Sequence, residues 1–341
     1  MDARRLKEIL SHFKDKKIAV VGDFFLDKYL FFDKKWEEVS IETGLVANQV
    51  TLIKHSPGAA GNIVKNIVSL GAGEVIPIGF TGDDGEGYDL RSDLEEMGCT
   101  TKYLVKSKKR YTPTYMKPQN IDIVGLSGEN ERYDIKNHDT LLTEIEDEII
   151  QNIKEVIPKV DGVVIADQVE LEKPDCGAIT KRVRESLVEC AKNYPNIVFW
   201  VDSRMRMMLF TNMVLKPNNE EAVRCVFGGD TPLNDENIKK AGEKLLEASK
   251  RGVFLTCGSK GVMVFDNKGI NKAPAVKIEG EVDTTGAGDS FTSGAILSLT
   301  SGATYYEAAQ IGNFTSGVTV QMLGTTGQAT QEDLIKINNQ C

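Results

Sequence analysis

The stretch Val282-Asp283-Thr284-Thr285-Gly286-Ala287-Gly288-Asp289-Ser290-Phe291 sets three small residues directly before a carboxylate, at what reads as the first turn of a helix. Glycines let a backbone close on an anion, successive N–H groups point into such a turn, and the helix N-terminus adds positive partial charge. This pattern suits stabilisation of a phosphoryl group by the N–H groups of Gly286, Ala287 and Gly288, with Asp289 placed to take a proton from a hydroxyl. A lone Gly-x-Gly-Asp also fits an ordinary strand-to-helix turn capped by Asp289. The flanking Asp283 and the two threonines favour the chemical reading. A second cluster, Ser56-Pro57-Gly58-Ala59-Ala60-Gly61-Asn62, opens an apolar helix ending at Leu70-Gly71-Ala72. Alone it reads as tight helix packing. Beside a phosphate turn, Gly58 and Ala59 permit close approach, and Asn62 offers a donor and an acceptor to a hydroxylated ligand.

These residues need a scaffold. Ile18-Ala19-Val20-Val21-Gly22 is a continuous apolar run ending at Asp23, the pattern of a buried parallel strand whose C-terminal end faces a ligand crevice. Similar runs recur at Val75–Gly79, Gly162–Ala166, Ile197–Val201, Met213–Lys216, Val253–Thr256 and Val262–Phe265. Most are separated by amphipathic segments of helix length, such as Leu141–Glu155, Cys176–Asn193 and Asn234–Lys250. The alternation predicts a three-layer α/β/α sandwich. Phe24 to His55 and Arg110 to Asp134 break the rhythm with aromatic and β-branched residues in polar alternation, and read as a small inserted β-sheet lid. The α/β/α core is therefore expected over residues 1–23, 56–109 and 135–341, and the lid over 24–55 and 110–134.

With 341 residues, a net charge of −9 and 27% charged residues, the composition is that of a soluble α/β protein without the basic face of a nucleic-acid or membrane-surface binder. Six cysteines are scattered without a Cys-x-x-Cys pair, so neither a disulfide framework nor a zinc site is expected. A cytoplasmic location fits, since no export signal or membrane-length apolar run is seen.

With both glycine-rich signatures in this order, the chain resembles the ribokinase-type (PfkB family) carbohydrate kinases over nearly its whole length. Within that family the heptose-phosphate kinases of bacteria are nearest in pattern, through Val20-Val21-Gly22-Asp23-Phe24-Phe25-Leu26-Asp27, Pro57–Asn62 and Asn66-Ile67-Val68-Ser69-Leu70-Gly71-Ala72. The resemblance implies transfer of the γ-phosphoryl group of ATP to a sugar hydroxyl, with Mg²⁺. It assigns nucleotide binding to Asn218 and Glu221 of Lys216-Pro217-Asn218-Asn219-Glu220-Glu221, to Thr256, Gly258, Ser259, Lys260 and Gly261, and to Asn313. Glu221 is expected to reach Mg²⁺ through water, because that ion gives up its hydration shell reluctantly. Resemblance also implies K⁺ beside the anion turn, held by Asp283 and oxygens of Thr285, Thr319, Met322 and Gly324. Without their neighbours, Asn218 with Glu221 is a helix cap, and Gly258–Gly261 a hairpin turn.

On the acceptor side Asp23 and Asn62 are expected to bind sugar hydroxyls, with Asp27 assisting, and Arg110, Lys117 and Arg132 to hold a phosphate already on the acceptor. One departure concerns the first lid strand. The heptose-phosphate kinases carry a Ser-x-Glu-Ala-Pro-like stretch there, of which Ser40-Ile41-Glu42-Thr43-Gly44-Leu45 keeps only part. No nucleotidyl-transferring domain is expected after residue 341, unlike the bifunctional members. The rival readings are another kinase of the same fold, acting on a hexose phosphate, ribose, a nucleoside or a keto-deoxy acid, and a non-catalytic sugar- or nucleotide-binding regulator. A hydrolase is disfavoured because His12, His55 and His138 lie near no nucleophile motif. Tyr29, Phe31, Phe32 and Trp36 in the lid suggest a homodimer, since a small sheet is marginal unless another surface buries one face.

Overall fold

The computed structural model describes residues 1–123, 128–169, 175–324 and 326–340. The chain opens with α1 (Ala3–Ser11) and β1 (Lys17–Gly22). It then runs along β2 (Phe24–Phe32), makes a short hairpin of β3 (Glu38–Val39) and β4 (Val46–Ala47), returns along β5 (Val50–Ala59) and passes directly into α2 (Ala60–Ser69). β6 (Glu74–Gly82), α3 (Gly85–Glu96) and β7 (Leu104–Ser107) follow, then β8 (Thr114–Asn120) and β9 (Tyr133–Ile135). Helices and strands next alternate through α4 (Thr143–Val156), β10 (Gly162–Asp167), α5 (Lys181–Asn193), β11 (Val198–Ser203), β12 (Val214–Leu215), α6 (Asn219–Phe227), α7 (Asp235–Ser249) and β13 (Gly252–Thr256). The chain closes with β14 (Val262–Asp266), β15 (Gly269–Ala273), α8 (Ala287–Thr300), α9 (Tyr305–Thr319) and α10 (Gln331–Asn338).

Nine strands form the main sheet in the order β15-β14-β13-β12-β11-β10-β1-β6-β7, parallel except for the β13–β14–β15 edge. Its strands are apolar throughout because both faces are covered. On β1, Ile18 and Val20 pack with residues of α1, α2, α8, α9 and α10, whereas Ala19 and Val21 pack with those of α4, α5 and α7 on the other side. Each such fully buried Val, Leu or Ile contributes about 1.5–3 kcal/mol. Successive strands depart to opposite sides of β1, to β6 and to β10, so the switch in strand order lies at β1/β10 and opens a crevice at their C-terminal ends. Asp23, Asp167 and Asp202 all stand at that end of the sheet.

The smaller sheet has the order β5-β2-β8-β9. The expected boundary at residue 55 falls inside a strand, because β5 stays paired with β2 as far as Ala59 opposite Phe24. The expected helix from Cys176 begins only at Lys181, where Thr180 accepts the Val183 N–H and caps it. Phe32 is buried, while Trp36 is 57% exposed. Among the described residues no helix is long and apolar enough to cross a membrane, and no group of three or more His, Cys, Asp or Glu is placed to hold a metal.

Candidate active site

Gly286 takes a left-handed conformation, φ 75°, and hands the chain to α8. A side chain there would be strained, and a Cβ would lie 2.6 Å from the Asn62 amide nitrogen. That amide donates to Asp289 Oδ2 at 2.7 Å, so the two glycine-rich signatures, 227 residues apart, meet in one hydrogen bond. Burial, then Asp202, raises the Asp289 carboxyl to about 6, with Asn62 and Lys216 acting the other way. It is a buried carboxylate in a polar frame, and its pKa suits proton abstraction near neutral pH.

Of the three N–H groups expected to receive phosphoryl oxygens, that of Ala287 donates instead to the Thr284 carbonyl at 3.1 Å, closing the turn. The N–H groups of Gly286 and Gly288 have no protein partner among the described residues. All three residues line a cavity of about 800 Å³ with Asp289, Asn218 and Glu221. One wall is apolar, built from Ala275, Val276, Ile278, Val282, Phe291 and Val320. This combination suits a purine on the apolar wall and phosphates at the helix terminus.

Asn218 and Glu221 form a reciprocal capping box at the start of α6, with Glu221 Oε2 accepting the Asn218 N–H and Asn218 Oδ1 the Glu221 N–H, both at 2.8 Å. The capping and ligand readings therefore hold together, since the cap uses one oxygen of each side chain while both residues face the cavity. Thr256, Gly258, Ser259 and Gly261 line it as expected. Lys260 does not, because it is exposed and points to Asp235 at 3.7 Å. Asn313 lines the cavity but spends its amide on the carbonyls of Ala273 and Pro274, fixing the end of β15.

Asp283 bridges two segments. Its Oδ1 accepts the Thr285 N–H at 2.9 Å and its Oδ2 that of Gly324 at 3.1 Å. Burial pushes its carboxyl up, but these hydrogen bonds outweigh it and hold the group below the usual carboxylate range. The Thr319 carbonyl accepts the Met322 N–H, and the Thr319 hydroxyl shares a 2.8 Å hydrogen bond with Ser290. Both Asp283 oxygens and the Thr319 carbonyl, expected around K⁺, thus accept hydrogen bonds within the protein.

A second cavity of about 190 Å³ adjoins the first, with Gln168 and Arg204 lining both. Asp23 lines it, yet its oxygens accept the backbone N–H groups of Gln168, Val169 and Ala178 at 2.7–3.2 Å, and burial with Asp167 raises it to about 6. The side chain expected to bind hydroxyls thus also holds the cavity wall. Gly58 is required for packing, since a Cβ would lie 2.6 Å from Asp27 Oδ2, and Ala59 adopts φ 50° at the junction with α2. Asp27 is paired with Lys117 at 3.0 Å, and Lys117 also reaches the Tyr29 hydroxyl.

None of the three expected phosphate-holding cations lines either cavity. Arg110 is buried and gives its guanidinium to the carbonyls of Asp139 and Thr140, which ties down the approach to α4. Lys117 is committed to Asp27. Arg132 pairs with Asp134 and stacks over the Tyr115 ring, its guanidinium carbon 4.3 Å from the centroid. Among the described residues the cations on the small cavity are Lys136 and Arg204, neither singled out by sequence reasoning. Lys216 was also missed as a site residue, although it opens the Lys-Pro-Asn-x-x-Glu stretch. Its ammonium pairs with Asp202 at 2.9 Å, both side chains under 8% exposed, and stands 3.1 Å from where a Gly288 Cβ would lie. The signal available was a carboxylate at a strand C-terminus, Asp202, the same rule that picked out Asp23.

A glycine turn closed by a buried carboxylate at the C-terminal edge of a parallel sheet is the arrangement expected of a carbohydrate-kinase type of site. Residues 15–332 match the pfkB family of carbohydrate kinases, and the chain belongs to that family. It is 28% identical over 93% of its length to the bifunctional protein HldE of Nitratiruptor sp., and 29% identical over 95% to that of Campylobacter jejuni. The chain spans 64% and 65% of those relatives. In fold it is similar to the ribokinase of Thermotoga maritima (TM-score 0.69, 20% identity, 95% of this chain and 99% of that one). It is similar too to phosphofructokinase-2 of Escherichia coli in complex with fructose-6-phosphate (TM-score 0.70, 18% identity, 95% and 99%).

Proposed function

We propose that the chain transfers the γ-phosphoryl group of ATP to a hydroxyl of a sugar that already carries a phosphate, a heptose 7-phosphate first among the candidates. The observation that carries this reading is the Asn62–Asp289 contact, whose Asp289 lines a nucleotide-sized cavity that continues through Gln168 and Arg204 into a smaller cavity lined by Lys136. Mg²⁺-bound ATP supplies the phosphoryl group and the charge neutralisation on its oxygens. Asp289 takes the acceptor proton, Asn62 orients that carboxylate, and the N–H groups of Gly286 and Gly288 with the Lys216 ammonium stabilise charge developing at the turn. Glu221 keeps the oxygen not used in the cap for a metal-bound water, and Asp283 with the 319–324 segment would hold K⁺.

Lys136, Arg204 and Arg132 act on Tyr115, which lines the small cavity together with Asp23, and Asp134 lies beside them. These cations suit an acceptor phosphate. A panel of free and phosphorylated sugars, with Mg²⁺ and with or without K⁺, tests the reading. The phosphorylated acceptor is expected to exceed its dephosphorylated form in kcat/KM by about 10²-fold, the value of a charge-assisted pair or two. Equal use of the free sugar would sink the phosphate assignment.

The relatives' match in HldE makes the heptose phosphate the leading member of that panel. A homodimer is proposed through the smaller sheet, whose Val50, Leu52, Ile53 and Tyr133 are 45–64% exposed, apolar surface that a second copy would cover in part. Light scattering is expected to give twice the 37.5 kDa chain mass, and a concentration-independent monomer would remove this proposal.

A further inference from the structure

Lys65 is a buried ammonium whose hydrogen-bond partners carry no formal charge. It lies one turn after Asn62 on α2, so both side chains leave the same helix face, Asn62 toward Asp289 and Lys65 toward Thr326. Its Nζ donates to Thr326 Oγ1 at 2.6 Å, the Thr326 carbonyl at 3.1 Å and Ser56 Oγ at 3.2 Å. The residue is 4% exposed, and Asp27, Asp289 and Asp93 act on it only from beyond hydrogen-bond range. Burial lowers its pKa to about 8. A buried charge with only neutral direct partners is costly, and an apolar side chain on a helix whose Ile63, Val64 and Ile67 are wholly buried would avoid that cost.

The cation's position supplies a reason for that cost. Thr326 backs the phosphate turn, its methyl 3.4 Å from where a Gly286 Cβ would lie, with Asn62 on the same glycine. Two residues earlier Gly324 holds Asp283. Through Ser56 on β5 the same ammonium also ties in the smaller sheet.

We propose that Lys65 is a positioning residue for phosphoryl transfer, acting through Thr326: its ammonium holds Thr326 against Gly286 and fixes a positive charge behind the phosphate turn. This rests on the kinase reading of the Asp289 site but not on the identity of the acceptor. The charge favours the phosphoryl group that enters the turn and leaves the rest of the nucleotide untouched, so it separates ATP from ADP.

Calorimetric binding of MgADP and of a magnesium complex of a non-hydrolysable ATP analogue, to the full chain and to Lys65→Met and Lys65→Gln, tests this without any acceptor. Methionine keeps the volume and removes charge and donors, whereas glutamine keeps a donor to Thr326 without the charge. Both variants are expected to bind the ATP analogue about tenfold more weakly, in the range seen when a supporting partner of a site residue is removed, with MgADP affinity changed less than twofold. Thermal unfolding reports whether each variant is folded, and glutamine covers the case in which methionine does not fold. Unchanged affinity for the analogue, equal weakening for both nucleotides, or a wild-type chain that binds neither would each overturn the proposal. An acceptor panel that fails leaves these affinities readable, so the two readings fail separately.

Discussion

Asp289→Asn is expected to leave a folded protein that binds nucleotide but turns over about 10²–10⁴-fold more slowly, the contribution of a positioned general base, about 3–5 kcal/mol of barrier. Asparagine keeps the size of the side chain and an oxygen for the Asn62 amide, so the loss isolates the proton-accepting role. The parent enzyme should show the same group in its pH profile. With the folded carboxyl raised to about 6, kcat/KM is expected to fall tenfold per pH unit below that value and to level above it. Stability should run the other way. A carboxyl raised by folding contributes stability that is complete below its unfolded pKa and is lost as pH rises through about 6, so Asp289→Asn is expected to exceed the parent at neutral pH by up to about 3 kcal/mol. Urea unfolding at pH 4.5 and 7.5, roughly bracketing that titration, reads this gap. An activity loss with no gain in stability at the higher pH would mean that Asp289 is not buried as a destabilised carboxylate.

The second large effect is expected at Lys216. Its ammonium and Asp202 form a pair excluded from water at 2.9 Å, on the neighbouring strands β12 and β11 or directly after them. Burial lowers the Lys216 pKa, but Asp202, Glu221 and Asp289 together outweigh it and hold the group charged. Lys216→Met removes one partner and leaves the Asp202 carboxylate buried and unpaired, which costs about 3–5 kcal/mol. It also removes a positive charge at Gly288 and one of the influences that keep Asp289 ionised. Turnover is expected to drop about 10²-fold, as when one preorganised donor is deleted, and the acid limb of the pH profile to move upward. Combining Lys216→Met with Asp202→Asn should return most of the stability and little of the turnover, because the two losses have different origins. A double variant that recovers both would make the lysine purely structural.

The fold was legible from periodicity because every central strand is covered on both faces and therefore reads as an unbroken apolar run. Both glycine-rich signatures were legible because they need small residues, for a left-handed backbone at Gly286 and for close approach to Asp27 at Gly58, and that requirement is written locally. The charged residues were not legible in this way. Arg110 looked like a phosphate ligand and instead satisfies two carbonyls, while Lys136, placed on the small cavity, gave no signal. Lys65, between Val64 and Asn66, gave no signal of its own; its partner Thr326 lies 261 residues away.

The sequence by itself determined the α/β layering, the phosphate turn with Asp289, and the Asn62 cluster, since backbone freedom and alternation are properties of neighbouring residues. Only the tertiary structure decided which cations face a ligand and which are spent on the protein. A Lys or Arg has the same local preferences in either role, and its part is set by the partner that folding brings to it and by the water that folding removes.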